Sequence, residues 1–323
     1  MLNSVLMWGA FAGIIGLMLA LDLGVFHRRP HAVSIGEALL WSGIWIATGL
    51  LFNLGIYLFM GVEPALQFLA GYLIEKSLSV DNIFVFMVIF SYFNVPGEYQ
   101  HRVLFWGILG ALVTRGVLIT AGITVIRYFH WAIFIFGGFL IFTAWKMWRS
   151  HDRKVDLDRN PVLNLLQRYV PVISLYRGEN FFFTKMGRRF ATPLFVVLVL
   201  IESTDVIFAL DSIPAILSIT TDPFIVFTSN IFAVLGLRAL YFALAGMMRM
   251  FTYLHYGLSL ILAFVGAKML LADIYPIPVE IALGVIGGIL VISVMASLLF
   301  PAEKPGTHSL PDQSREQVSS LEE

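Results

Sequence analysis

Five acidic side chains lie inside long apolar stretches of the sequence, and they are the residues best suited to chemistry. They are Glu75, Asp81, Glu202, Asp205 and Asp211. On insertion scales, a charged side chain at the centre of a membrane helix costs about 2.5–3.5 kcal/mol. Such carboxylates must therefore be paired with basic side chains, protonated, hydrated or bound to a cation. Because intramembrane charges usually mark an ion or substrate pathway, we expect the function to lie at these positions.

The spacing of the acids predicts a shared site. Glu202 and Asp205 are three residues apart, so they project from one face of a helix. Glu75, Ser79 and Asn82 follow one stripe along another helix. We expect these two faces to line a cavity near the middle of the membrane.

Asp81 and Asp211 lie off those faces if both helices are regular. Pro214 follows three residues after Asp211 and cannot donate a hydrogen bond to the carbonyl of Leu210. The sequence therefore predicts a break or kink beside Asp211. A local unwinding there would turn the Asp211 carboxylate toward a cavity, as in the broken helices of transporters.

The types of donor atom indicate the kind of ligand. Carboxylates, the Asn82 amide, hydroxyls and backbone carbonyls are hard oxygen donors, which suit Mg²⁺, Ca²⁺ and Mn²⁺. The chain has no cysteine, and we expect its seven histidines to lie away from the acids, which disfavours zinc and copper. Oxygen donors alone do not select among the three hard cations. Since metal ligands must be deprotonated, metal–proton exchange follows as a hypothesis.

Three basic residues in the same apolar stretches are candidate counter-ions or gating residues, namely Lys76, Arg115 and Arg238. Lys76 directly follows Glu75 but points about 100° away round the helix, so it is not an automatic partner. The alternative is that acids and arginines form only salt bridges that hold the helices together. We favour a pathway, because buried ion pairs are poor stabilisers.

Composition predicts the elements that must position these residues. Of the 323 residues, 59% are hydrophobic and 13% are charged, whereas soluble domains average about 25% charged residues. Recurring apolar runs of about twenty residues predict an all-α fold, a polytopic membrane helix bundle of about nine transmembrane helices. The predicted spans are about 4–26, 37–60, 66–92, 102–125, 129–149, 191–219, 224–247, 252–272 and 278–300. We expect membrane lipid to surround these helices. The zero net charge gives no indication of a nucleic-acid partner. Whether the chain forms a homo-oligomer is left open by the sequence.

Basic residues between the spans predict the orientation. Eight lysines and arginines fall between residues 150 and 190, on the same side as most of the others, whereas Arg127 falls on the opposite side. The positive-inside rule then places the N-terminus outside and the C-terminus in the cytoplasm. The first residues lack the basic start of a cleaved signal peptide, so we expect them to begin the first permanent helix.

Two parts of the chain carry matching residues in the same order. The first series is Asp81, Pro96, Arg115 and Lys146-Met147, and the second is Asp211, Pro223, Arg238 and Lys268-Met269. The helices that hold the two aspartates run in opposite directions, which predicts an inverted three-helix repeat, an architecture of many secondary transporters. The predicted organisation is two N-terminal transmembrane helices (1–65), a first repeat (66–149), a basic cytoplasmic loop (150–190), a second, inverted repeat (191–272), a last transmembrane helix (273–300) and a disordered cytoplasmic tail (301–323).

Three segments of the sequence resemble the TerC family of integral membrane proteins. They are GYLIEKSLSVDNIFVF (71–86), ATPLFVVLVLIESTDVIFALDSIPAI (191–216) and TDPFIVFTSNIFAVLGLRALYFALAG (221–246). The resemblance to Alx-like members extends nearly to Phe300 and implies a manganese exporter of the bacterial inner membrane. It also implies metal-coordinating roles for Glu75, Asp81, Asn82, Glu202, Asp205 and Asp211. The choice of manganese, and of export over import, comes from this resemblance alone.

The leading hypothesis is a secondary transporter that exports Mn²⁺, which would be its substrate rather than a permanent cofactor. An exporter of another hard cation such as calcium, or a membrane factor with a structural or tellurium-resistance role, remains an alternative. A scaffold that recruits a partner through the 150–190 loop is a further alternative. An aspartyl-protease dyad would leave most of the acids without a role, so we do not expect an enzyme.

Overall fold

The computed structural model describes residues 2–26, 35–149, 163, 165–166, 176, 178–185, 188–245 and 253–299. Over these residues the chain forms ten helices and one hairpin of two strands. They are α1 (Leu2–Phe26), α2 (Ile35–Met60), α3 (Val62–Tyr92), α4 (Gly97–Tyr128), α5 (Ala132–Arg149), β1 (Phe182–Lys185), β2 (Arg188–Ala191), α6 (Pro193–Leu217), α7 (Pro223–Leu235), α8 (Leu237–Ala245), α9 (Leu254–Leu270) and α10 (Val279–Leu299).

Every predicted span overlaps a helix of the structure, and α7 with α8 together occupy the one predicted at 224–247. Among the described residues, six helical segments are long and apolar enough to cross a membrane by length and composition, with α7 and α8 taken as one. The chain is thus a polytopic helical membrane protein. The number of nine spans, the inverted repeat and the predicted domain boundaries stay predictions.

The breaks between helices carry residues typical of turns and helix caps. Asp222 is the N-cap of α7, and its carboxylate accepts hydrogen bonds from the backbone N–H groups of Phe224 and Ile225 at 2.8 and 3.3 Å. Pro223 occupies the first turn, where a missing N–H group has no cost. Between α3 and α4, Asn94 takes a positive φ of 49°, which this residue type tolerates.

Burial distinguishes central from peripheral helices. Nearly all of α7 is buried, and α3 and α6 carry long sets of buried residues, whereas few residues of α2 and α10 are buried. Exposed side chains of the outer helices are apolar: Phe59 is 88% exposed and Ile292 is 68% exposed. Such faces suit contact with lipid. The candidate site therefore lies among α3, α4, α6 and α7.

The hairpin modifies the prediction of an all-helical chain with a simple loop at 150–190. Strands β1 and β2 pair antiparallel directly before α6, and the ring of Phe182 lies 4.5 Å from that of Phe195. The Tyr176 hydroxyl donates to the carbonyl of Phe93 at 2.6 Å, and burial raises the pKa of Tyr176. This part of the loop therefore contacts the α3–α4 turn. Most of the loop and the predicted tail lie outside the described residues.

Candidate functional site

Arg115 stands at the centre of a buried ionic cluster. Its Nε and Nη2 atoms donate to the two carboxylate oxygens of Asp205 at 3.1 and 2.8 Å, and its Nη1 donates to Oε1 of Glu75. All three side chains are at most 4% exposed. The fork of a guanidinium fits such paired contacts better than an ammonium would. The cluster joins the middle of α4 to α3 and α6.

Asn230 of α7 completes this cluster. Its Nδ2 donates to Oε2 of Glu75 at 2.9 Å, and its Oδ1 accepts from Nη1 of Arg115 at 3.3 Å. Sequence reasoning missed this residue. An amide in the apolar segment PFIVFTSNIFAVL was the available signal, because a buried amide needs partners.

Glu202 lies one turn before Asp205 on α6 and is half-buried. In the part of the chain that the structure describes, no basic side chain forms an ion pair with it. Its carboxylate lies directly over Gly110, where a β-carbon would be 2.0 Å from Oε1. When Glu75 and Asp205 are both ionised, the Arg115 guanidinium balances one of their two charges.

Three buried oxygens near these acids along α3 and α6 have no hydrogen-bond partner among the described residues. They are Ser79 Oγ, Asn82 Oδ1 and Ser212 Oγ, on side chains at most 1% exposed. Ser79 and Asn82 continue the stripe of Glu75, as predicted from their spacing. A buried polar atom without a partner costs about 1–3 kcal/mol. Hard oxygen atoms left in this way are suitable ligands for a hard cation.

Asp205 and Arg238 also line a cavity of about 20 Å³, together with apolar side chains of α3, α4, α6, α7 and α8. Arg238 itself is 3% exposed. A cavity of this size can hold about one water molecule. A small cavity bordered by both Asp205 and Arg238 therefore lies beside the ionic cluster.

Asp81 and Asp211 contact a different part of the structure from Glu75 and Asp205. Asp211 accepts a hydrogen bond from the Thr143 hydroxyl of α5 at 3.0 Å. Asp81 lies 3.9 Å from Nδ1 of His255, whose Nε2 lies 2.7 Å from the carbonyl oxygen of Met147. Since a carbonyl only accepts, Nε2 carries the hydrogen of that bond.

The expectation that all histidines lie away from the acids is wrong for His255. This residue is in the first turn of α9, at a helix end as predicted, but α9 packs on α5 and meets Asp81 of α3 there. The sequence predicted that His255 lies at a helix end, whereas its contact with Asp81 depends on how α9 packs and could not be predicted.

The predicted break beside Asp211 is also wrong, whereas the alternative of a kink there stays a prediction. Helix α6 continues through Pro214 to Leu217, because the proline lies in the last turn and only one backbone hydrogen bond is lost. The interruption occurs instead at Gly236, between α7 and α8. There Nζ of Lys76 donates to the carbonyl of Ala233 at 3.1 Å, so the contact of this lysine is with a helix end.

Apolar outer faces and buried charges define a multi-span integral membrane protein with a polar interior. A family model described as “Integral membrane protein TerC family” matches residues 60–304, and the chain belongs to this family.

Relatives are similar over nearly their whole length. An uncharacterized membrane protein of Myxococcus xanthus is 51% identical over 299 residues, which cover 93% of this chain and 94% of the relative. Alx of Escherichia coli (strain K12), with the provisional name membrane-bound redox modulator, is 48% identical over 297 residues, which cover 89% and 92%. A membrane protein of Rickettsia bellii is 41% identical over 292 residues, which cover 90% and 97%. No solved structure matches the chain.

Proposed function

We propose that this protein is a secondary transporter that exports Mn²⁺ from the cytoplasm across the bacterial inner membrane, in exchange for protons. The observation that carries the proposal is the presence of hard oxygen donors without protein partners on the buried helices α3 and α6. These are the Glu202 carboxylate, which no described basic side chain pairs, and the unpartnered oxygens of Ser79, Asn82 and Ser212. A divalent cation would take only some of them as ligands, because Ser212 lies about 15 Å from Glu202 along α6. No three acids or histidines among the described residues already form a metal site, so binding would also require the helices to rearrange.

The proposed ligands are drawn from Glu75, Asp81, Asn82, Glu202, Asp205 and Asp211. Glu202 and Asn82 have free ligand atoms in the present arrangement, whereas Glu75 and Asp205 contact Arg115. Acids that do not bind the ion would serve as proton carriers. The choice of Mn²⁺ rests on the resemblance to Alx-like proteins, and calcium is the alternative among hard cations.

The name of Alx suggests a redox role for that relative. The present chain contains no cysteine, so thiol–disulfide exchange is not available to it. A structural or tellurium-resistance role would leave the unpartnered oxygens without a purpose. We therefore favour transport.

Purified protein in lipid vesicles tests the proposal. Uptake of Mn²⁺, Ca²⁺ and Mg²⁺ is measured with and without an imposed pH gradient. We expect saturable Mn²⁺ flux that increases with the gradient and moves protons in the opposite direction. Flux of Ca²⁺ in preference to Mn²⁺ would favour the calcium alternative, and vesicles that move no divalent cation would refute transport.

The Glu202→Gln variant is the first prediction at the site. It keeps the side-chain shape but removes a charged ligand, so we expect Mn²⁺ affinity to fall at least as much as on loss of an outer-shell partner, about 10- to 100-fold. The matched control is Glu98→Gln, the same change at an exposed position at the start of α4. Equal flux for both variants would exclude Glu202 from the site.

A further inference from the structure

All carboxylate oxygens of Glu75 and Asp205 are already engaged in the structure. Arg115 binds both oxygens of Asp205 and one of Glu75, and Asn230 binds the other. A divalent cation that coordinated these oxygens would lie within a few ångströms of the guanidinium. Because the two positive charges would repel strongly in a region of low dielectric, both cannot occupy the acids together.

We propose that Arg115 is a tethered cation that competes with the transported ion for Glu75 and Asp205. The inference rests on the proposed function and adds a description of the site when no metal ion is bound. Arg115 binds the two acids in the empty carrier, and the metal ion displaces it in the loaded carrier. Arg115 is therefore a positioning residue for transport.

The chemistry of an empty carrier favours such a residue. A carrier that returns without its ion must not leave two carboxylates uncompensated in the membrane interior, where their desolvation is expensive. A guanidinium remains charged under all physiological conditions and so balances one of these two charges without a proton from either side. Its bidentate contact with Asp205 gives the strength needed, and the single contact with Glu75 extends it to α3.

A displaced guanidinium needs another partner and more space. The Asn230 Oδ1 atom already accepts from Nη1 of Arg115. Because this acceptor is uncharged, Arg115 can keep it as a partner while the metal ion binds the carboxylates. The cavity of about 20 Å³ beside Asp205 includes Ala111, one turn before Arg115 on α4. Since a guanidinium is larger than this cavity, Arg115 could enter it only if the helices that line the cavity moved. Metal binding is thereby linked to a rearrangement of these helices.

A purely structural salt bridge makes the opposite prediction for metal affinity. If Arg115 only holds α3, α4 and α6 together, its removal disorders the acids, and Mn²⁺ binds more weakly. If Arg115 competes with the ion, its removal frees both acids, and Mn²⁺ binds more tightly. The sign of the change in affinity therefore separates the two roles.

The experiment measures the dissociation constant of Mn²⁺ for the purified full-length chain by calorimetry, and Mn²⁺ flux in vesicles. For Arg115→Gln we expect affinity to rise at least about tenfold and maximal flux to fall, because the empty carrier loses its counter-ion. The thermal midpoint of this variant should also increase more on Mn²⁺ addition than that of the wild type. The matched control is Arg127→Gln, the same substitution on the same helix but at an exposed position in the last turn of α4. Its Mn²⁺ affinity should stay close to that of the wild type.

Arg115→Lys keeps the charge but loses the bidentate contact. This variant replaces Arg115→Gln in the experiment if Arg115→Gln does not fold. We expect it to bind Mn²⁺ more tightly than the wild type and less tightly than Arg115→Gln. If a folded Arg115 variant bound Mn²⁺ with unchanged or weaker affinity while the wild type still transported it, the proposal that Arg115 competes with the ion would be overturned. The proposal of Mn²⁺ transport would stand. A wild type that neither binds nor moves a divalent cation would overturn both proposals.

Discussion

At the scale of single residues, the five acids are not equivalent. Glu75 and Asp205 share one arginine, Glu202 has no basic partner in the described chain, and Asp81 and Asp211 face α5 and α9. Among the described residues, arginine salt bridges therefore account for Glu75 and Asp205 but not for Glu202. Residue types alone could not make this division, because the contacts depend on residues far away in the chain. Asp205, for example, is 90 residues from Arg115.

Gly110 gives a prediction at this scale. A β-carbon there would lie 2.0 Å from Oε1 of Glu202, so Gly110→Ala must push the carboxylate aside. The displaced group is the end of a flexible side chain, and we expect the fold to survive while Mn²⁺ affinity falls about tenfold, or 1.4 kcal/mol. Calorimetric titration with Mn²⁺ checks this.

The control for that variant is Gly116→Ala on the same helix. Its β-carbon would make ordinary contact with Phe227 at 3.5 Å, so we expect little change in Mn²⁺ affinity. A Gly110→Ala protein with wild-type affinity would show that the position of Glu202 is not critical.

At the scale of elements, helix lengths followed the apolar runs, but interruptions did not follow prolines. Pro214 falls in the last turn of α6 and leaves it intact, whereas Gly236 separates α7 from α8. A helix end inside the membrane leaves carbonyls without partners, and Lys76 supplies a donor to one of them. A side chain from α3 thus satisfies part of this break. Gly236 is the signal in its own segment, because glycine is unfavourable within a helix.

Gly236→Ala tests the packing of this break. The new β-carbon would lie 2.7 Å from Nζ of Lys76 and 3.1 Å from Cβ of Trp45, so one of them must move. Overpacking of this kind typically costs about 1–3 kcal/mol, and we expect a lower thermal midpoint in detergent.

Gly138→Ala in α5 is the comparison, because nothing lies within 4 Å of its β-carbon. Alanine is favoured over glycine within a helix by about 0.5–1 kcal/mol, so this variant should be as stable as the wild type or more so. If Gly236→Ala were as stable as Gly138→Ala, the close packing at the break would not contribute to stability.

At the scale of the whole molecule, the apolar outer faces and the family define a multi-span membrane protein, while its orientation stays a prediction. The absence of cysteine makes orientation simple to test. Single cysteines are introduced by Ser4→Cys and Ser309→Cys, and intact cells are treated with a maleimide that does not cross membranes. We expect labelling only for Ser4→Cys, because the positive-inside rule places the C-terminus in the cytoplasm. Lysed cells should label both, and the reverse pattern in intact cells would invert the topology and the direction of export.

Local sequence patterns predicted the positions of the helices and the buried stripe of Glu75, Ser79 and Asn82. These features depend on local backbone hydrogen bonds, helical periodicity and the thickness of a bilayer, all of which act over a few turns. Only the tertiary structure decided that Arg115 binds Glu75 and Asp205, that Asn230 joins them, and that His255 lies beside Asp81. Those contacts arise from which helix faces meet, and apolar faces that resemble one another do not specify their neighbours.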